Sequence, residues 1–166
     1  MSPLYDKLIH LLPLWLAPNA VTLLGFALVL LSHALLVWHA PFLDTPAPSW
    51  VYVMAGLSLF TYMVLDNLDG RQARRTRASS PLGHLFDHGC DAFNVTISGI
   101  SILATLQLGQ HPLWAYSLLF LTGQFVCYVA SLEEYFTGAM ILREINGPNE
   151  GLILMSLLHV ATRLIG

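Results

Sequence analysis

Charge is scarce in this sequence. Only 10% of its 166 residues are Asp, Glu, Lys or Arg, while 55% are hydrophobic and the mean hydropathy is +0.64. A water-covered domain carries about 25% charged residues, so a freely soluble fold is excluded and lipid becomes the expected solvent for much of the surface. Seven basic residues against ten acidic ones give a net charge of −3, which leaves no broad basic face for nucleic acid. Cysteine is nearly absent as well. Cys90 and Cys127 form neither a CxxC pair nor zinc-like spacing, so reduced structural thiols are expected. Residues 1–16 lack the basic start and small-residue cleavage site of a signal peptide, so insertion is expected to rely on the membrane segments themselves.

What is present is apolar length. Five apolar stretches cover residues 21–38, 50–65, 93–108, 113–132 and 152–166. A spanning helix needs roughly 20 apolar residues, and several of these reach that length only by continuing into flanking polar sequence. The first follows Ala17-Pro18-Asn19, a helix-start signal; Asn19 reads as its N-cap. Residues 4–16 differ in kind. Leu4, Leu8, Leu11, Leu12 and Trp15 recur at helical spacing around Asp6, Lys7 and His10, and Pro13 interrupts them, the pattern of an amphipathic helix lying in the interface. The expected organisation is an interfacial helix over residues 1–16 and one all-α, polytopic transmembrane domain over 17–166.

The basic residues orient that domain. With four complete spans, Lys7, the cluster Arg71, Arg74, Arg75 and Arg77, and Arg143 all fall on one side, while the loops near Asp44 and His111 carry no Lys or Arg. The positive-inside rule makes the arginine side cytosolic. Trp15, Trp38, Trp50 and Trp114 sit near the expected span ends, as an aromatic belt would place them. His33, His39, His111 and His159 read as structural.

Residues 66–91 carry the chemistry. Asp66 and Asp69 are separated by i+3, and Asp87 and Asp91 by i+4, so on helices each pair shares a face. A short connection over residues 75–82 brings the two helices together as an antiparallel pair. Four carboxylates converging near the interface repel one another unless divalent cations lie among them; all-oxygen ligation suits Mg²⁺, Mn²⁺ or Ca²⁺. Gly70, Ala73 and Gly83 have little or no side chain, so a ligand can approach the backbone closely. Arg74 lies beside them with a guanidinium suited to phosphate. A hydrated helix end explains one such aspartate; it does not explain four in two spaced pairs beside small residues.

Asp66, Asp69, Gly70, Ala73, Arg74, Gly83, Asp87 and Asp91 match the pattern D-x2-D-G-x2-A-R-x8-G-x3-D-x3-D at every fixed position. On these residues the chain resembles the CDP-alcohol phosphatidyltransferases. The words WLAPNAVTLLG, DGRQARRT, SSPLGHLFDHGCD and EEYFTGAMILREINGPNEG resemble the choline/ethanolamine phosphotransferase branch, over nearly the whole chain. The resemblance implies a six-helix core, of which about five membrane helices are expected here, the domain being incomplete at its C-terminal end. It implies two ions, Mg²⁺ or Mn²⁺, with Asp66, Asp69, Asp87 and Asp91 as metal ligands and Asp91 also as general base. Gly70, Ala73 and Gly83 would make room for the CMP moiety, with Arg74 near the phosphates and Thr22 facing the nucleotide. The implied substrates are CDP-choline or CDP-ethanolamine and diacylglycerol. The implied setting is the endoplasmic reticulum or Golgi membrane, as a homodimer with its site facing the cytosol.

Within the family, a phosphatidylinositol- or phosphatidylglycerophosphate-type synthase using CDP-diacylglycerol is the alternative, and the flanking words argue against it. From another class comes a non-catalytic membrane protein, either an ion transporter or a truncated scaffold. A transporter would carry acids in mid-span, whereas these four cluster toward one face. His84 and His88 lie on the motif helix, His88 as a candidate for assisting proton transfer, and Glu133 is a candidate for the same cavity. The sequence does not separate choline from ethanolamine.

Overall fold

A computed structural model describes residues 3–137 and 147–165, and every regular element among them is helical. Arg143 and part of the word EEYFTGAMILREINGPNEG fall outside the described residues. The chain opens with α1 (Pro3–Leu8) and a single 3₁₀ turn at Ile9–Leu11. This is shorter than the amphipathic helix expected over residues 1–16. Leu12 is extended (φ −80°, ψ 128°), the conformation a following proline imposes.

Prolines then set where long helices begin. Pro18 occupies the first turn of α2 (Pro18–His39), after Ala17 in extended backbone. Asn19 is therefore inside the helix, and Ala17 is its N-cap. Pro48 is the N-cap of α3 (Ser49–Thr76). Pro81 opens α4 (Pro81–Thr105), whose N-cap Ser80 accepts the Gly83 N–H at 3.1 Å through Oγ. Pro112 opens α5 (Pro112–Leu119). A proline in the first turn costs no intrahelical hydrogen bond. α5 runs through a π-helical turn at Phe120–Gln124 into α6 (Phe125–Thr137), and α7 (Gly147–Ile165) follows.

α2 and α3 are each long and apolar enough to cross a membrane. With no strand among the described residues, the all-α membrane fold holds. Among the described residues these two helices meet that test, so the count of five spans stays a proposal. The outer surface fits lipid: Leu113, Trp114, Tyr116, Phe120, Leu121, Phe125 and Tyr128 all stand exposed along α5 and α6.

Packing departs from the expected antiparallel α3–α4 pair. α2 packs extensively on both α3 and α4, α7 packs on α3, and α3 and α4 make few direct contacts. Two apolar clusters hold this arrangement. Val29, Leu59 and Tyr62 join α2 to α3, with Phe26, Ile97, Leu152 and Met155 around them. Leu36, Ala47, Val51, Tyr52 and Ala104 close the far end. Gly56 permits the α3–α7 approach, because a Cβ there would come within 2.8 Å of the Ser156 carbonyl oxygen. Two buried or part-buried polar pairs join helices, the kind of contact that holds helices together inside a membrane. His33 Nδ1 meets Ser101 Oγ at 2.9 Å, and His159 Nδ1 meets Thr105 Oγ1 at 2.7 Å.

Candidate active site

α3 remains helical past its apolar part because Asp66, Asp69, Gln72, Ala73, Arg74 and Arg75 tolerate a helix while facing water or partners. It ends at Arg77, which takes the left-handed conformation (φ 56°, ψ 31°), with the Ala78 N–H bonded to the Ala73 carbonyl at 2.9 Å. This is a Schellman-type closure. Only residues 77–80 separate α3 from α4, and that short reversal brings the N-terminal turns of α4 beside the polar end of α3.

One carboxylate oxygen each from Asp66, Asp69 and Asp87 lies within 4.8 Å of the others. Asp69 is buried and accepts a hydrogen bond from the Thr22 hydroxyl of α2. Asp91 stands outside this trio. Its Oδ1 accepts the Tyr62 hydroxyl at 2.7 Å, and its carboxylate neighbours Asp66. Oδ1 of Asp87 is buried without a hydrogen-bond partner. Buried carboxylate oxygens are seldom left unpaired, since the lost hydration is uncompensated. The all-oxygen trio with one unsatisfied oxygen fits a hard divalent cation of the Mg²⁺ type.

Beside the trio opens a cleft of about 200 Å³, bounded by the start of α2, the end of α3 and the start of α4. Asp69 and Asp87 form its acidic wall, Gly70, Ala73 and Gly83 its small-residue wall, and Arg74 and Thr22 also line it. A Cβ on Gly70 would meet only the Arg74 guanidinium, at 3.9 Å, so that wall is open. A Cβ on Gly83 would press on Ser80 Oγ at 3.2 Å and Asn19 Oδ1 at 3.4 Å.

The structure thus brings together Thr22, Asp69, Gly70, Ala73, Arg74, Gly83 and Asp87 around one cleft, while Asp66 and Asp91 lie off its lining. Thr22 is engaged with Asp69, so it also orients a carboxylate. His84 lines the cleft and His88 Nδ1 lies 3.9 Å from Asp87 Oδ2. Glu133, a candidate for the same cavity, is exposed on α6 and is not among the lining residues.

Sequence reasoning missed several partners. Tyr62 precedes Asp66 by one helical turn, and that i−4 spacing was the available signal. Ser79, Ser80 and Asn19 join the lining. Arg75, expected in the basic cluster at the membrane surface, also donates through Nη1 to the carbonyls of Ile9 at 2.8 Å and Leu12 at 2.9 Å. Gln72 Nε2 donates to those of Pro13 at 2.9 Å and Leu16 at 3.0 Å, and Arg71 pairs with Asp6. One face of the α3 end holds carboxylates; the other holds the N-terminal segment.

Comparison with known proteins points to one family. The family model described as CDP-alcohol phosphatidyltransferase matches residues 15–163. Choline/ethanolaminephosphotransferase 1 of Arabidopsis thaliana is 40% identical over 166 residues, 100% of this chain and 42% of the relative. Cholinephosphotransferase 1 of Mus musculus is 41% identical over 133 residues, 80% of this chain and 33% of the relative. An uncharacterized CDP-alcohol phosphatidyltransferase class-I family protein of Dictyostelium discoideum is 40% identical over 162 residues, 98% of this chain and 39% of the relative. The chain spans less than half the length of these curated relatives.

Proposed function

The chain belongs to the CDP-alcohol phosphatidyltransferase family, and from that premise we propose that it transfers phosphocholine or phosphoethanolamine from a CDP-alcohol to the 3-hydroxyl of diacylglycerol, releasing CMP. The observation that carries this reading is the carboxylate trio opening on a cleft walled by Gly70, Ala73 and Gly83. A pyrophosphate needs charge neutralised close to the backbone, and the nucleotide beside it needs room. The relatives' names support the head-group class.

In this mechanism Asp66, Asp69, Asp87 and Asp91 would hold two Mg²⁺ or Mn²⁺ ions. When bound, the cations neutralise the attacking and leaving oxygens of a phosphoryl displacement. Arg74 pairs with a phosphate oxygen at the rim. Thr22 keeps Asp69 turned toward the cation site, and Tyr62 holds Asp91 by Oδ1. Asp91 takes the proton of the diacylglycerol hydroxyl as its oxygen bonds to the phosphorus bearing the choline or ethanolamine. The bond from that phosphorus to the bridging oxygen breaks, and CMP leaves with the electron pair. The carboxylates share their end of the bundle with Arg71, Arg74 and Arg75, which supports a cytosolic site at the membrane surface. There a soluble nucleotide and a lipid acceptor can meet. Endoplasmic reticulum or Golgi residence and a homodimer complete the proposal.

The test is CMP release by the purified protein in detergent–lipid micelles, supplied with diacylglycerol, Mg²⁺ and either CDP-choline or CDP-ethanolamine. Release that needs metal, diacylglycerol and Asp91 supports the transferase, and the rate ratio identifies the head group. A folded protein that releases no CMP and binds neither nucleotide would sink the reading.

A further inference from the structure

We infer that His84, Asp87 and His88 form a second cation site, selective for a borderline transition-metal ion of the Zn²⁺ class and sharing Asp87 with the all-oxygen trio. The three residues occupy positions i, i+3 and i+4 of α4 and so share one face. One donor atom from each lies within 4.8 Å of the other two, close enough for side-chain rotation alone to converge them. The His84 and His88 rings stand 4.0 Å apart between centroids, and His88 Nδ1 lies 3.9 Å from Asp87 Oδ2. The other oxygen of Asp87 is buried without a hydrogen-bond partner. His84 is exposed at the cleft, which gives a cation a path in.

Imidazole ligands select Zn²⁺, Co²⁺, Ni²⁺ or Cu²⁺ over Mg²⁺, and a helical His pair at i, i+4 is a recurrent way to hold zinc. Three protein ligands leave a position open for water or a phosphate oxygen. Because Asp87 is common to both groups, a cation on the histidine side withdraws it from the trio. The inference concerns cation binding and does not rest on the transferase reading.

Co²⁺ titration of the purified protein in detergent micelles tests it, with the ligand-field absorption read directly. The expected result is a band displaced by Zn²⁺ and weakened at least about tenfold in affinity by His84→Gln or His88→Gln, the low end of what ligand-environment changes cost. The band persists in an Asp66→Asn/Asp69→Asn double variant. In the wild-type protein, which sidesteps any folding defect, Zn²⁺ protects both histidines from diethyl pyrocarbonate and Mg²⁺ at the same concentration does not. Absence of the band, unchanged affinity in the histidine variants, or equal modification with and without Zn²⁺ would each overturn the inference.

Discussion

On α3, Asp69 is 5% exposed and held by Thr22, Tyr62 reaches across to fix Asp91, and Gln72 and Arg75 tie the helix to the N-terminal segment. On α4, Asp87 keeps a buried oxygen that no donor reaches, His84 is exposed, and a Cβ on Gly89 would touch nothing within 4 Å. The Asp69 wall of the site is therefore organised by the protein itself, as is Asp91 through Tyr62, while the Asp87 wall is completed by what binds. Such a division suits a site that must admit a charged nucleotide: one wall is fixed in advance, which favours catalysis by preorganisation, and the other keeps unsatisfied valence for the ligand.

The sharpest way to break the comparison is to damage the organised half. Asp69→Asn removes a carboxylate from the fixed wall and is expected to lower CMP release by about 10²–10³-fold or more, the scale of losing a preorganised electrostatic group; steady-state assays read it. Next in size is the stabilisation that metal gives. Mg²⁺ at a hundred times its dissociation constant should add about 2.7 kcal/mol to the folded state, seen as a higher Tm. EDTA reverses the shift, and Asp87→Asn abolishes it because the trio then loses the charged, unpartnered oxygen that the cation completes. Tyr62→Phe keeps the ring in its apolar cluster but frees Asp91, so activity should fall about 10–100-fold while the Mg²⁺ shift in Tm survives. Gln72→Ala removes two hydrogen bonds to the N-terminal segment and should cost about 1–2 kcal/mol, with faster proteolysis before Leu16. The smallest effect belongs to Gly89→Ala, which gains about 0.5–1 kcal/mol of helix stability, measured as a small rise in Tm.

The same contrast explains what could be read from the sequence. Local spacing carried the eight motif positions, the helical pairs of carboxylates and the apolar stretches, because each depends on residues within a few turns of one another. The helix start at Pro18 was equally legible. What spacing could not carry was long-range pairing. The Thr22–Asp69 contact joins residues 47 apart, and Arg75 reaches carbonyls 63 and 66 positions away. Positive-inside counting uses the charge of Arg75 but does not show the carbonyls of Ile9 and Leu12 that it binds. The place of α2 against both motif helices was likewise hidden, since Val29 and Leu36 look like any apolar-helix residues until their partners are seen.

The central claim is that the carboxylate trio recruits the nucleotide diphosphate through a bound divalent cation. Calorimetric titration of CDP-choline and CDP-ethanolamine into the purified protein, with Mg²⁺ and then with EDTA, tests it most directly. The account predicts binding that requires Mg²⁺ and is lost in both Asp66→Asn and Asp87→Asn proteins that remain folded. Binding of equal strength in EDTA, or undiminished in Asp87→Asn, would contradict it.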